Sequence, residues 1–316
     1  MAIRFIFFFS LLSFGLCAQE TTIDTVRYIE TYPTRLTWRN SLTSTGNSFV
    51  IRDTESGTNL TLNPERSVYF HTSLQFRALE VGFGFSPAWL NPDRDLEGAR
   101  LFNLDFRLYT GRWMHALTYL DQVGFRADFE GIEFSFPDFA SRKVGGTTSF
   151  VLNRRFSFRA IHSQNEWQTS SAGSFVPRMM AYYTRYQLKT EEGSETQHSF
   201  DLGLGPGYHY NWVLGKHWLL SAGLTTGLGI NILELEQGNN TYWLWETQFR
   251  STLAYNSDTL FAGVGGQYTF YEHGAGSQTR LDDRIYYLQL YVGYRFRAPD
   301  SWNRAADRIN RKFGWD

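Results

Sequence analysis

Long runs of strict two-residue alternation constrain this chain more than any other feature of its sequence. In residues 102–109, FNLDFRLY, every second side chain is Phe or Leu, and residues 286–296 alternate in the same way. Because neighbouring strand residues face opposite sides, each run has one apolar face and one polar or small face. The runs are roughly 10 to 15 residues long, whereas strands of globular proteins average about 5 to 6. A strand that crosses a membrane needs about 9 to 11 residues, so the length favours a transmembrane β-barrel.

The alternation predicts an all-β fold, a transmembrane antiparallel β-barrel of about twelve strands with a short C-terminal amphipathic helix. The predicted strands lie near residues 67–76, 79–86, 101–110, 113–122, 146–153, 155–165, 174–187, 198–212, 217–231, 241–255, 259–271 and 284–296, and further β-like pieces lie at 35–43, 47–52 and 130–136. Short turns should alternate with long loops around such a barrel. The predicted connections break this rule at Asn153–Arg155 and at 123–145. Ten or fourteen strands therefore stay open, as does whether 123–145 folds inward as a plug or outward as a receptor loop.

The N-terminus has the layout of an export signal. Arg4 precedes an apolar stretch from Phe5 to Leu16, and small or polar residues follow it. This order is typical of a cleaved signal peptide, and we place the cleavage after Ala18. Cys17 is the only cysteine, so the mature chain is expected to hold no disulfide and no thiolate. No later apolar run is long enough for a membrane-spanning helix.

The C-terminal residues differ from the alternating region. After Pro299 the pattern predicts an amphipathic helix whose apolar stripe contains Trp302, Ala306, Ile309 and Phe313. This helix either packs back on the periplasmic end of the barrel or lies beside anionic lipid headgroups. The predicted organisation is a signal peptide at 1–18, an N-terminal periplasmic β segment at 19–64, the β-barrel at 65–297 and a helical tail at 298–316.

Charge and histidine spacing exclude several function classes. The 30 Lys and Arg residues balance 31 Asp and Glu residues, a formal net charge of -1. Such a chain has no basic field to hold a nucleic acid. The seven histidines are scattered, without a pair at metal-ligand spacing. We therefore expect no metal site and no cofactor.

Three residues are candidates for catalysis. Outer-membrane acyl hydrolases place a His and a Ser two positions apart on one strand, so that both face the same side and can share a proton. His71 and Ser73 have this spacing, although the sequence offers no third group to orient the imidazole. His162 is followed directly by Ser163, and adjacent residues of a strand face opposite sides. That second pair can therefore work only on a bulged strand.

The faces opposite the apolar ones carry charged residues toward a predicted lumen. Charges of both signs in a narrow lumen usually pair, because an unpaired buried ion is costly. This pattern favours a plugged, salt-bridged interior, with a selective narrow pore as the alternative. The predicted lumen-facing residues are Glu80, Asp105, Arg107, Arg159, Arg178, Arg185, Asp201, Glu246, Arg250 and Arg295.

Residues 156–175, FSFRAIHSQNEWQTSSAGSF, resemble the signature of a family of Bacteroidetes proteins catalogued as a domain of unknown function. A short Asn-Arg turn at Asn153 precedes this stretch, and residues 24–30 and 207–212 are similar to other parts of that family. The resemblance covers about residues 24–297. It implies an outer-membrane β-barrel, and it implies neither an activity nor catalytic residues.

These observations predict an integral outer-membrane β-barrel that serves as a narrow transport, binding or structural protein and is not an enzyme. The expected partners are outer-membrane lipid and the barrel-assembly machinery, with a small solute or a lipid as ligand. Two alternatives stay open. One is an outer-membrane lipid-modifying enzyme of the acyl hydrolase or transferase type, and the other is a secreted soluble β-sandwich that binds glycans through Trp and Tyr.

Overall fold

The computed structural model describes residues 27–313 except for 54–58, 65–66, 93–97, 130–131, 163–164, 191–192, 236–237 and 275–278. The strands in these ranges are β1 (Ile29–Thr31), β2 (Arg35–Asp53), β3 (Asn59–Pro64), β4 (Ser67–Phe76), β5 (Leu79–Phe85), β6 (Arg100–Thr110), β7 (Trp113–Phe129), β8 (Ile132–Phe150), β9 (Glu166–Gln168), β10 (Ala172–Phe175), β11 (Arg178–Thr190), β12 (Gly193–Gly205), β13 (Gly207–Val213), β14 (Trp218–Leu235), β15 (Gly238–Asn256), β16 (Leu260–Gly274) and β17 (Thr279–Arg297). The helices are α1 (Arg159–His162) and α2 (Asp300–Phe313).

Twelve strands close into one antiparallel ring. Around the ring they follow the order β2, β4, β5, β6, β7, β8, β11, β12, β14, β15, β16 and β17, and β17 pairs with β2 along its whole length. β10 and β13 continue β11 and β12 beyond breaks at Pro177 and Pro206, where proline has no N–H to give to the ladder. A closed ring has no edge strand, as strands in lipid require. We call the end at which β2 begins and β17 ends the lower end.

The predicted count of twelve strands is confirmed, but one predicted strand is wrong. The described residues of 155–165, which exclude 163–164, form no ladder with the ring. Instead they fold inside it, and Phe156, Phe158 and Ile161 are buried there. Their apolar side chains alternate as in a strand, yet they meet protein and not lipid.

The twelfth strand of the ring is instead β2, which the sequence pattern predicts as two separate pieces, 35–43 and 47–52. β2 pairs with β17 on one side and with β4 on the other. The barrel therefore begins at Arg35, and the predicted N-terminal segment 19–64 contains a strand of the wall.

Residues 123–145 are predicted as a loop, but 123–129 belong to β7 and 132–145 to β8, and the two strands form a long hairpin. The two strands pair on both sides of a register shift at Gly124, whose φ is 91°. A residue with a side chain rarely adopts this left-handed conformation, so glycine fits the bulge. With 123–145 and 155–165 both reassigned, successive ring strands alternate in direction all the way round.

The upper part of the wall is narrower than the lower part. β5 and β6 form a short hairpin, and above it β3 pairs with β2 on one side and with β7 on the other. Above the β5–β6 hairpin, the wall therefore closes through β3 alone, which joins β2 to β7.

The two faces of the ring differ sharply in polarity. On β15 the outward Trp245 and Phe249 are 49% and 50% exposed, whereas the inward Glu246 and Gln248 are 4% and 8% exposed. Other strands also leave apolar side chains exposed outside, among them Phe83, Leu104, Leu202, Leu228, Leu288 and Leu290. An apolar outside around a polar inside is the reverse of a water-soluble protein, and it fits contact with lipid.

The predicted C-terminal helix is confirmed as α2, at the lower end. Asp307 pairs with Arg77 of the β4–β5 turn at 2.6 Å, and Trp302 meets the ring of Phe76 edge-on. Ile309 on the predicted stripe is exposed, so the helix touches the barrel along one edge only. Among the described residues, no helix is long and apolar enough to cross a membrane.

Candidate functional site

A segment of the chain fills the lower end of the lumen. Residues 151–171, here called the plug, leave β8 and enter the ring before the chain rejoins the wall at β10. The plug contains α1 and β9, and β1 pairs with β9 to add a second strand, with Ile29 opposite Gln168. The predicted plugged interior is thus present, but its plug comes from a segment other than 123–145.

Apolar packing fixes the plug against the inner wall. Phe156, Phe158 and Ile161 pack with the inward Tyr109 and Met114 at the lower ends of β6 and β7. On the opposite side of the lumen, Trp167 and Ala160 of the plug pack with Leu219 of β14 and Ala254 of β15. The plug therefore spans the lumen from wall to wall.

A single buried amide organises the backbone of the plug. Gln168 is 0% exposed, and its Oε1 accepts hydrogen bonds from the Ser157 N–H at 2.8 Å and from Asn211 Nδ2 of β13 at 3.2 Å. Its Nε2 donates to the carbonyls of Tyr28, Arg155 and Ser170. Gln168 and Ser157 are both buried, so the hydrogen bond between them pairs two polar groups that water does not reach.

Ser157 begins the one-turn helix of the plug. Its Oγ accepts the Ala160 N–H at 3.0 Å, as an N-cap residue does, and donates to Glu166 at 2.6 Å. Arg159 pairs with Glu166 at 3.4 Å and stacks on the ring of Tyr109. Arg159, predicted to line the lumen from a strand, reaches the interior from α1.

Two arginines of the wall form hydrogen bonds with the plug at His162. Nη1 of Arg39 on β2 donates to the His162 carbonyl at 2.5 Å, and Nη1 of Arg250 on β15 lies 2.6 Å from the His162 Nε2. Burial, together with the charge of Arg250, holds the pKa of His162 well below its ordinary value. His162 is therefore neutral, and its ring can accept a hydrogen bond from Arg250.

Above the plug the lumen holds a polar chamber of about 300 Å³. Phe158, Ile161 and His162 of the plug line it. Its wall carries the basic residues Arg39, Arg107, Lys143, Arg178 and Arg250, together with the hydroxyls of Tyr69, Tyr182, Tyr271, Tyr287 and Tyr291. The chamber is thus rich in hydrogen-bond donors.

Carboxylates in and around the chamber have partners. Glu80 meets Arg107 at 3.1 Å, and Glu246 meets Arg178 at 2.5 Å. Asp105 lies 3.2 Å from His71 and accepts the Thr118 hydroxyl at 2.9 Å. Asp201 accepts Asn231 Nδ2 at 2.6 Å and lies 3.7 Å from His273.

The structure places the predicted lumen residues inside the ring with one exception, Arg185. On β11 the inward positions are Arg178, Met180, Tyr182 and Thr184, and no register shift interrupts the strand. Arg185 therefore points outward, opposite Arg142 of β8 and His198 of β12. Positions 178 and 185 are an odd number of residues apart, so they cannot share a face of a regular strand. The tenth predicted residue, Arg295, is inward and fully buried, and it stacks on Tyr32.

The catalytic candidates do not assemble into a nucleophile and base. His71 and Ser73 share the inward face of β4, and Asp105 supplies the carboxylate partner that the sequence did not identify. In the described part of the chain, no hydrogen bond joins Ser73 to His71. Both residues are buried inside the wall, away from the lipid-facing side. Ser163 lies outside the described residues.

A metal site is not apparent either. Within the described ranges, no group of three or more His, Cys, Asp or Glu residues is arranged to hold a metal ion.

Sequence reasoning missed three residues that define this site: Arg39, Lys143 and Gln168. Arg39 alternates correctly with Trp38 and Asn40, but it lies in a piece assigned outside the barrel. Lys143 lies in the supposed loop 123–145. Gln168 stands within the motif that carries the family resemblance, which is the signal that could have found it.

The fold and this interior define a twelve-stranded β-barrel of the outer-membrane type, with a plugged lumen and a charged chamber. Residues 22–296 match the family described as "Domain of unknown function (DUF4421)", and the chain belongs to that family. No curated protein matches the sequence significantly.

Several solved outer-membrane proteins are similar in fold. An outer membrane channel from Pseudomonas putida F1 is 10% identical, with a TM-score of 0.39 over 87% of this chain and 100% of that chain. OmpT of Vibrio cholerae is 8% identical, with a TM-score of 0.34 over 83% and 98%. The P. putida toluene transporter TodX is 8% identical, with a TM-score of 0.31 over 82% and 89%. At these TM-scores the likeness carries no information about solute or mechanism.

Proposed function

We propose that this protein is an integral outer-membrane β-barrel that passes a small polar solute through its lumen, with the plug as the gate. The observation that carries the proposal is the chamber of about 300 Å³ directly above the plug. A barrel with a purely structural role needs no internal space, and a stable interior would be packed throughout. Here the lower end is packed and the space above it is left polar and hollow.

The proposed location is the cell outer membrane. The apolar outer face matches the lipid contact of such barrels, and a signal peptide cleaved after Ala18 would bring the chain to the barrel-assembly machinery. The two-residue lower turns at 77–78 and 111–112 are typical of the periplasmic side, so the plug would face the periplasm. The motif at 156–175 favours an origin in Bacteroidetes, and in this chain that motif forms the plug.

Planar-bilayer recording tests the proposal. The parent protein is compared with a variant in which residues 155–170 are replaced by a short Gly-Ser linker between β8 and β10. Insertion of both proteins is first checked by heat-modifiable gel mobility. We expect the parent to be closed most of the time and the variant to give long, reproducible conductance steps.

Two results would contradict the proposal. If the parent were as open as the linker variant, the plug would not close the lumen. If the inserted linker variant gave no steps, the lumen would not be a pathway, and a binding or structural role would replace transport. The lipid-modifying alternative has no comparable support, because His71 and Ser73 face the lumen.

A further inference from the structure

Three cations of the chamber have no carboxylate partner among the described residues: Arg39, Lys143 and Arg250. The neighbouring Arg107 and Arg178 are neutralised by Glu80 and Glu246. Asp105 and Asp201 hydrogen-bond to a hydroxyl or an amide group and lie beside a histidine, and they keep their negative charges. The five cations Arg39, Arg107, Lys143, Arg178 and Arg250 therefore exceed the four carboxylates Glu80, Glu246, Asp105 and Asp201 by one positive charge, and Arg39 and Arg250 have no carboxylate within ion-pair distance in the described part of the chain.

Arg39 shows how incompletely this charge is satisfied. It is 9% exposed, yet its hydrogen-bond partners are neutral: the His162 carbonyl and the side chain of Gln289. Its guanidinium also lies 4.2 Å from the ring centre of Tyr291. The Nε atom is buried and has no hydrogen-bond partner among the described residues.

Arg250, on β15, has the same arrangement as Arg39. Its Nη1 meets the His162 ring and its Nη2 donates to Gln267, both uncharged, and its Nε is buried without a partner. Both arginines meet His162, so their guanidinium groups converge on one place at the bottom of the chamber. Lys143, whose ammonium lies over the rings of Tyr182 and Tyr271, faces the same space.

Buried cations without a counter-charge are costly, and an anion from solution can remove that cost. Guanidinium groups present several donors in a planar fork that matches the oxygens of a carboxylate or a phosphate. Each guanidinium has five N–H groups, and the hydrogen bonds to neutral partners leave further N–H groups on Nη1 and Nη2 for such oxygens. The tyrosine hydroxyls that line the same chamber can donate as well.

We propose that the chamber is a binding site for a small oxyanion, a carboxylate or a phosphate, held by Arg39 and Arg250 with Lys143 above them. This inference deepens the proposed function, on which it rests for the route of entry, and it names the class of solute. A chamber of about 300 Å³ is at the small end of ligand pockets, which suits a small organic anion and not a lipid.

The test is an equilibrium binding measurement on the refolded, intact barrel in detergent. Inorganic phosphate and acetate are titrated in parallel, with chloride at equal ionic strength as the reference, and binding is followed by calorimetry. We expect one saturable site for at least one of the two oxyanions and none for chloride. Arg39→Gln and Arg250→Gln should each weaken that affinity at least tenfold.

Arg100→Gln is the matched control. Arg100 is an exposed arginine on β6 that pairs with Asp121, so its replacement should leave the affinity unchanged. If either Gln variant fails to fold, Arg39→Lys and Arg250→Lys keep the charge but lose the Nε donor and the planar fork, and a severalfold loss is expected.

Absence of a saturable oxyanion site in the parent would overturn the inference, as would equal affinity in the parent and all the arginine variants. The measurement needs no open pore. Binding without conductance would therefore overturn only transport, and conductance without binding would overturn only the oxyanion site.

Discussion

The lower lumen and the chamber above it are lined by the same strands, yet they differ in packing and in how their polar groups are satisfied. In the plug, apolar side chains pack from wall to wall, and Gln168 pairs polar backbone groups that folding buries. In the chamber, Arg39 and Arg250 keep a donor without a partner. The plug is packed and its central amide is satisfied by its own residues, although Asn165 Oδ1 and Asn211 Oδ1 have no partner in the described ranges, whereas the chamber is hollow and its unpartnered groups belong to cations.

The difference indicates where stability and where binding reside. A buried polar network that is fully satisfied adds rigidity, whereas an incomplete one is stabilised by whatever completes it. His162 lies at the junction, because both arginines hold the plug through this one residue. Changes on either side of His162 therefore test the comparison separately.

The largest expected effect follows from breaking the plug network. Gln168→Leu keeps the approximate volume but removes the acceptor of the buried Ser157 N–H, together with the amide that donates to three backbone carbonyls. Since a buried group left unsatisfied costs about 1–3 kcal/mol, the docked plug should lose about 1–3 kcal/mol. Limited trypsin digestion at Arg155 and Arg159 measures the exposure of the plug, and bilayer recording measures opening.

Gln187→Leu is the matched control, because Gln187 lies near the top of β11 and donates a hydrogen bond to Ser194 near the rim. It should digest at the rate of the parent. If Gln168→Leu also digested at the parent rate, the docking of the plug would not depend on the buried amide, and the contrast between plug and chamber would be lost.

The next effect concerns pH at the junction. The charged and titratable groups that act on the pKa of His162 are Arg250 of β15, Arg107 of β6, Arg39 of β2 and His209 of β13. Burial and these neighbours lower the pKa of His162 in the docked plug, whereas an undocked His162 has its ordinary pKa near 6.5. Protonation therefore favours the undocked plug. Stability is complete above about pH 6.5 and falls as the pH decreases below it.

One proton is involved, so the open fraction should rise by at most about tenfold per pH unit below 6.5. Conductance and trypsin exposure are measured from pH 8 to pH 5. His162→Asn should lose most of this dependence. His198→Asn, a change on the outer face of β12, should keep it. A parent protein whose opening does not change between pH 8 and pH 5 would show that His162 does not control the plug.

The fold could be predicted from the sequence because a strand that faces lipid on one side and a lumen on the other must alternate. β16 and β17 were placed within a few residues in this way. Alternation alone cannot distinguish a face that contacts lipid from one that contacts the protein interior. The stretch 155–165 alternates but belongs to the plug, so its prediction as a wall strand is wrong. Alternation also could not join the two pieces of β2, because the polar stretch Ser44–Ser48 interrupts the apolar pattern within the strand.

The candidate site was less predictable. Parity along a strand identified Glu246 and Arg250 as neighbours on one face, and a regular β11 would have excluded Arg185. Ion pairs across the ring, such as Arg178 with Glu246, decide which cation lacks a carboxylate partner. Such pairs can be predicted only when the order of the strands around the ring is known. Arg39 was invisible for the same reason, since its strand had not been placed in the wall.

The smallest expected effect compares a paired cation of the chamber with the unpaired ones. Glu246 neutralises Arg178, a wall residue that also lines the chamber. Glu246→Gln removes that charge but keeps the shape, so Arg178 joins the cations without a carboxylate partner. The oxyanion affinity should then rise by about two- to tenfold, the range expected from one added charge near a partly solvated site. Calorimetry with phosphate measures the change, and Asp121→Asn, which removes a carboxylate from the outer face, is the control. A fall in affinity after Glu246→Gln would mean that anion binding depends more on the position in which Glu246 holds Arg178 than on the added positive charge. The difference between paired and unpaired cations would then describe the structure of the chamber but would not explain its binding.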